Sequence, residues 1–236
     1  MGKSLLINYL MPDKMLDKLA YGFDNIIRVE ANAKLPLPVA SHPDMQVLVI
    51  GDTVITVNEL YAKSAELRQA CEGKEVLFTE ADLKDKYPSD VLLNACLVEK
   101  KLIARKDSLD MSVIHACQKH RVEIVNVKQG YAKCSTLVLG DKAIISADRT
   151  IVAASKMCGI DALLVSSGHI ILDGYNYGFI GGASFYNADN NTVYFFGDIK
   201  YHPNCVKIRS FIEKYKVNIV CTEDCPLYDY GGAVVI

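Results

Sequence analysis

None of the eight cysteines stands in a C-x-x-C spacing with another, and most fall inside apolar runs or helical segments. That removes the usual zinc and dithiol signatures and points to a reducing compartment, with structural thiols and room for one reactive one. There is no excess of either charge: a formal net charge of −2 with charged residues interspersed leaves no footprint for nucleic acid or an anionic membrane surface. No apolar run approaches the roughly 18 residues that a membrane span needs. The N-terminus lacks an apolar stretch with a small-residue cleavage site, and Leu6 stands where a myristoylation signal wants Ser or Thr. No glycine pair opens a helix in a G-x-G-x-x-G or G-x-x-x-x-G-K pattern, which argues against phosphate cradling. The expectation is a soluble cytoplasmic protein that binds a small molecule, not nucleic acid or membrane, and needs no cofactor or metal.

What is present, over 236 residues of which half are apolar, is a repeated order of elements. Gln46 to Ile50 and Thr53 to Val57 are β-branched runs joined by Gly51-Asp52, which reads as a hairpin. Similar hairpins are expected over Val91 to Ala104, after Cys134, and around the turn Asn187 to Asn191. Helices are expected from Pro12, Asn58, Ser108, Asp148 and His202-Pro203, each followed by a short strand. Their starts lie 40 to 54 positions apart, and counting from 202 through the C-terminus back to 12 gives a unit of the same size. Val234 to Ile236 and Ser4 to Tyr9 are then the two halves of one more hairpin. A chain that begins and ends in mid-hairpin predicts a closed ring, because an unpartnered strand is an exposed edge. The other topology compatible with the pattern is two doubly wound halves.

In the ring, the loops between each outer strand and the next hairpin converge. They carry His42, Asp44, Lys133, Cys134, Asp173, Asn176, Tyr177, Asp229 and Tyr230.

The order of four motifs resembles arginine deiminase, of the pentein superfamily of guanidine-modifying enzymes. His42-Pro43-Asp44 before a hairpin is similar to its H-x-D motif. Cys134, two hairpins later after Gly130, is similar to its nucleophile. Phe179-Ile180-Gly181-Gly182 stands where the family has F-x-R-D, and Tyr230-Gly231-Gly232-Ala233 where it has E-G-G-D, in a circularly shifted order. The resemblance implies an α/β fold of five ββαβ units, a propeller with pseudo-fivefold symmetry closed by pairing of the N- and C-terminal strands, in one domain over residues 1–236. Gly182 and Tyr230 replace the two carboxylates that grip a guanidinium, so the substrate is expected to differ from free arginine.

For the chemistry, Cys134 is the expected nucleophile, His42 the acid and base, and Asp44 either the orienter of His42 or the partner of a cationic substrate nitrogen. Lys133, Asp173, Asn176, Tyr177, Gly182, Asp229 and Tyr230 are the expected substrate-binding positions. The bland alternatives stay open. Cys134 read alone is a buried strand thiol like Cys96, His-Pro-Asp is a common turn, and the tyrosines of these loops serve packing. The superfamily also includes a non-enzymatic ribosome anti-association factor, so the competing function is a binding protein with a vestigial cavity.

Overall fold

A computed structural model describes residues 2–20 and 22–236. The chain runs Ser4–Asn8 (β1), Asp13–Leu19 (α1), Asn25–Val29 (β2), Pro43–Gln46 (α2), Val47–Ile50 (β3) and Thr53–Thr56 (β4). Asn58–Lys63 (α3), Ala65–Ala70 (α4), Glu75–Phe78 (β5), Cys96–Val98 (β6), Lys101–Ala104 (β7), Met111–His120 (α5) and Glu123–Asn126 (β8) follow. Next come Thr136–Leu139 (β9), Ala143–Ser146 (β10), Arg149–Met157 (α6), Asp161–Leu164 (β11), Ser184–Asn187 (β12) and Thr192–Phe195 (β13). Cys205–Lys214 (α7), Asn218–Cys221 (β14) and Val234–Val235 (β15) complete it.

These strands make five three-stranded sheets, each an antiparallel pair whose second strand also pairs in parallel with a third strand. The parallel partner is reached through a helical crossover, as parallel pairing requires. One sheet is assembled from both ends of the chain: Leu5 faces Val235 and Leu6 faces Val234, antiparallel. Ser4 and Ile236 exchange both backbone hydrogen bonds, at 3.0 and 2.9 Å.

The middle strands β1, β4, β10 and β13 are buried along their whole length, whereas the third strands β5, β8 and β14 are half-exposed. That is why the middle strands read as continuous apolar runs without alternation: both faces are covered. Among the first strands, β3 lies beside β15, and β9 lies beside both β6 and β12. One cavity of about 390 Å³ is lined from all five sheets, by Val49 of β3, Leu97 of β6, Val138 of β9, Phe185 of β12 and Val235 of β15 among others.

Several local expectations are shifted. The helix expected from Asn58 is two short ones, α3 and α4, the second capped by the Ser64 hydroxyl accepting from Leu67 N at 3.0 Å. Asp110, not Ser108, caps α5, because residues 106–108 form a separate tight turn and Leu109 is extended. Asp148 caps α6 as expected, accepting from Thr150 N and Ile151 N. His202-Pro203 precedes α7 without opening it. The hairpin expected over Val91 to Ala104 pairs only from Cys96, leaving Val91–Ala95 as irregular chain. No helix among the described residues is long and apolar enough to cross a membrane.

Candidate active site

His42 and Asp44 flank Pro43, whose fixed φ starts the single helical turn α2 and so turns both side chains inward. Cys134 sits just before β9. All three, with Asp229, are at most 2% exposed. The thiol donates to Asp44 Oδ2 over 3.0 Å. Asn94 clamps the arrangement: its Oδ1 accepts from the backbone N–H of Lys133 (2.8 Å) and Cys134 (3.2 Å). Its Nδ2 therefore faces the other way, 3.0 Å from the Cys134 sulfur and 3.2 Å from the Asp44 carbonyl.

Asp229 is fixed by two backbone donors, Phe179 N at 2.8 Å and Gly231 N at 2.9 Å. It reaches this place because the loop before it is tied to the 166–178 loop, with Ile171 N to Leu227 O and Asp229 N to Ile171 O both at 2.8 Å. Its carboxylate occupies the room above Gly182, where any Cβ would overlap it. Gly231, with φ +76°, lies under the His42 side chain, and a Cβ there would overlap the histidine as well as strain the backbone. His42 Nδ1 has no hydrogen-bond partner and lies 3.8 Å from Asp229 Oδ1.

The electrostatics follow from burial. Loss of water pushes His42 down to about 3, so the imidazole is neutral. Burial raises Asp44 to about 6 against the opposing pull of the Lys133 charge and hydrogen bonds from Cys134 and Asn94. Asp229 rises to about 7, by burial first and then by the Asp44 charge. The Cys134 thiol is pushed well above its ordinary value by burial and by both carboxylates.

A pocket of about 270 Å³ opens over this cluster, walled by Val39, Leu172, Tyr131, Tyr175, Tyr177, Phe179 and Asn176, with His42, Cys134 and Asp229 at its base. The Tyr131 ring stacks between Tyr87 and Phe179, with centroids 5.8 and 6.1 Å away. Of the expected residues, Cys134, His42, Asn176, Tyr177 and Asp229 meet here, with Gly182 beneath Asp229. Asp44 touches the thiol from below but, with Lys133, lines the 390 Å³ cavity between the inner strands. Asp173 is outside the pocket, accepting from the Tyr228 hydroxyl at 2.6 Å, and Tyr230 packs on Tyr228 and Phe196 in the core.

Asn94 and the Tyr131 wall are not singled out by any motif; the one trace of Asn94 is a lone amide in the apolar run Val91–Ala95. Donor atoms of His42, Asp44 and Cys134 lie within 4.8 Å of one another. Metal ligation would need the thiolate, and the thiol here donates its proton to Asp44, so no metal is assigned to the trio.

Similar folds are found among solved structures. A dimethylarginine dimethylaminohydrolase, solved as an adduct with S-methyl-L-thiocitrulline, matches with a TM-score of 0.63 at 11% identity over 100% of both chains. An agmatine deiminase from C. jejuni gives 0.54 at 10% identity, covering 94% of this chain and 88% of its own. The inosamine-phosphate amidinotransferase of Streptomyces griseus gives 0.53 at 10% identity, covering 93% and 88%. The chain shares the fold of these three proteins. Residues 6–234 match the model of DUF6873, a family of unknown function, and the chain belongs to that family. No curated protein matches it in sequence.

Proposed function

We propose that residues 1–236 form one cytoplasmic domain, a five-unit propeller of pseudo-fivefold symmetry closed at the β1–β15 pair, whose pocket hydrolyses a C–N bond through Cys134. Pairing of the terminal strands and the cavity lined from all five sheets support the ring. One observation carries the enzymatic reading: a buried cysteine, a histidine and a carboxylate face a single pocket of substrate size, on a fold shared with guanidine-modifying enzymes.

In this reading the Cys134 thiol loses its proton to a group of the buried cluster and the sulfur adds to an amidine or amide carbon, forming the S–C bond. Collapse of the adduct breaks the C–N bond as the departing nitrogen takes a proton from His42, which the Asp229 carboxyl replaces at Nδ1. Asp229, pushed up to about 7 and 3.8 Å from Nδ1, keeps a proton near the imidazole at neutral pH. Water then gives a proton through His42 back to Asp229 and attacks the same carbon, and the S–C bond breaks. Asp229 stands where Gly182 leaves room, and free arginine is disfavoured, because among the described residues no Lys or Arg lines the pocket to take its carboxylate.

A haloacetamidine followed by peptide mapping tests this: Cys134 is labelled at least tenfold faster than any other cysteine, and His42→Ala removes the preference. The 2% exposure of Cys134 and its raised thiol favour the second reading, a non-catalytic pentein-fold binding protein. Under that reading labelling is spread over several cysteines and indifferent to His42.

A further inference from the structure

We propose that Asp44, rather than His42, accepts the Cys134 proton, and that Asp44 exchanges it through the cavity between the inner strands instead of through the substrate pocket. This rests on the reading of Cys134 as nucleophile.

The geometry separates two jobs. The thiol hydrogen bond goes to Asp44 Oδ2 at 3.0 Å, while no hydrogen bond joins His42 to the sulfur and its Nδ1 is turned toward Asp229. Asn94, its oxygen locked by two backbone donors, has an N–H aimed at the sulfur that stabilises the thiolate once the proton has gone. The other oxygen of Asp44 is buried without a partner, and Asp44 lines the cavity of about 390 Å³. Asn187 Nδ2, on the wall of the same cavity, is likewise buried and unpaired. Two residues that line one roomy cavity, each with a polar atom left without a protein partner, are a setting for ordered water, and water is what a buried carboxylate needs to exchange a proton with the outside.

The groups facing Asp44 are Cys134, the Lys133 and Asp229 charges, and the His42 imidazole. In the step, the S–H bond breaks with its electron pair left on sulfur, the proton moves to Oδ2, and the Asp44 acid passes it to cavity water. The reverse transfer restores the thiol when the S–C bond breaks. A carboxyl raised to about 6 by burial is a base matched to neutral pH.

Neutral iodoacetamide tests the assignment, because its reaction with Cys134 requires no carboxylate to hold a cation. In the wild type the labelling rate of Cys134 rises with a midpoint near pH 6. In Asp44→Asn that rise is lost and the rate at pH 7 falls at least tenfold, while Asp44→Glu recovers part of it. Unchanged or faster labelling in Asp44→Asn overturns the proposal, since removing a repelling charge would by itself ease thiolate formation. For the route, formate restores labelling to Asp44→Gly, and adding Val138→Trp, which fills the cavity, abolishes that rescue; rescue that survives the plug overturns it. The two readings fail separately: selective haloacetamidine labelling with an unaffected Asp44→Asn sinks only the Asp44 assignment. Cys134 inert to both reagents in the wild type sinks the catalytic reading and this assignment with it.

Discussion

Asp44 and Asp229 hold charge where burial makes charge costly, and the cost falls at different pH values for each neighbour. A carboxyl raised from 3.8 to about 7, as in Asp229, adds stability at acidic pH that is lost as pH rises through about 7. Asp44 behaves alike up to about 6. His42, lowered from 6.5 to about 3, acts in the opposite sense: its contribution is intact above 6.5 and is lost as pH falls. Between about 4 and 6, two carboxyls therefore oppose one imidazole, and this cluster's contribution to stability falls as pH rises. Asp229→Asn removes one of the carboxyls. Whatever its offset from the lost acceptor, its unfolding free energy relative to the wild type moves in the variant's favour by an amount on the order of 2–4 kcal/mol between pH 4 and pH 8. A pH-independent difference between the two proteins excludes the ionisation cost as the cause.

At the scale of elements, the caps decide how well each unit is anchored. Asp110 accepts from Ser112 N at 2.9 Å and from the backbone of Glu80 (3.0 Å) and Ala81 (2.9 Å), so it caps α5 and pins the loop after β5. Asp110→Ala leaves three backbone donors short of a partner, of which only Ser112 N is buried, and costs about 1–2 kcal/mol, read from chemical denaturation. Ser108→Ala, which loses one bond to the Arg105 carbonyl, costs under about 1 kcal/mol. Sequence favours Ser108 because both are good capping types and only the backbone of 106–109 separates them.

The same limit applies at the site. Order along the chain was enough to bring Cys134 and His42 together, since hairpin turns and helix stops mark each unit. It could not show that the space over Gly182 is filled by Asp229, which is a contact across the loops at 179 and 229 that no local pattern carries. Nor could it show Asn94, whose role depends on five residues of irregular chain that a hairpin pattern would have paired.

At the scale of the whole molecule, the pairing of β15 with β1 joins strands from the two ends of the sequence in one sheet. A variant whose ends are joined by a short flexible linker and whose chain is opened at the exposed Asp141–Lys142 turn retains the fold, because every strand keeps its neighbours. Circular dichroism and a cooperative melt within a few degrees of the parent are the expected readout. Loss of cooperativity shows that the junction needs the native ends. The five-unit arrangement was readable from spacing, because each unit repeats one order of turn, cap and apolar run; the 390 Å³ cavity was not, because its wall takes one strand from each unit.

The terminal pairing also sets a timetable for biosynthesis. Leu5 is translated 230 residues ahead of Val235, its partner in the strand opposite. Until then β1 has only β2 beside it and offers a bare apolar edge, so nascent chains stalled short of Val234 are the species that chaperones should be found holding.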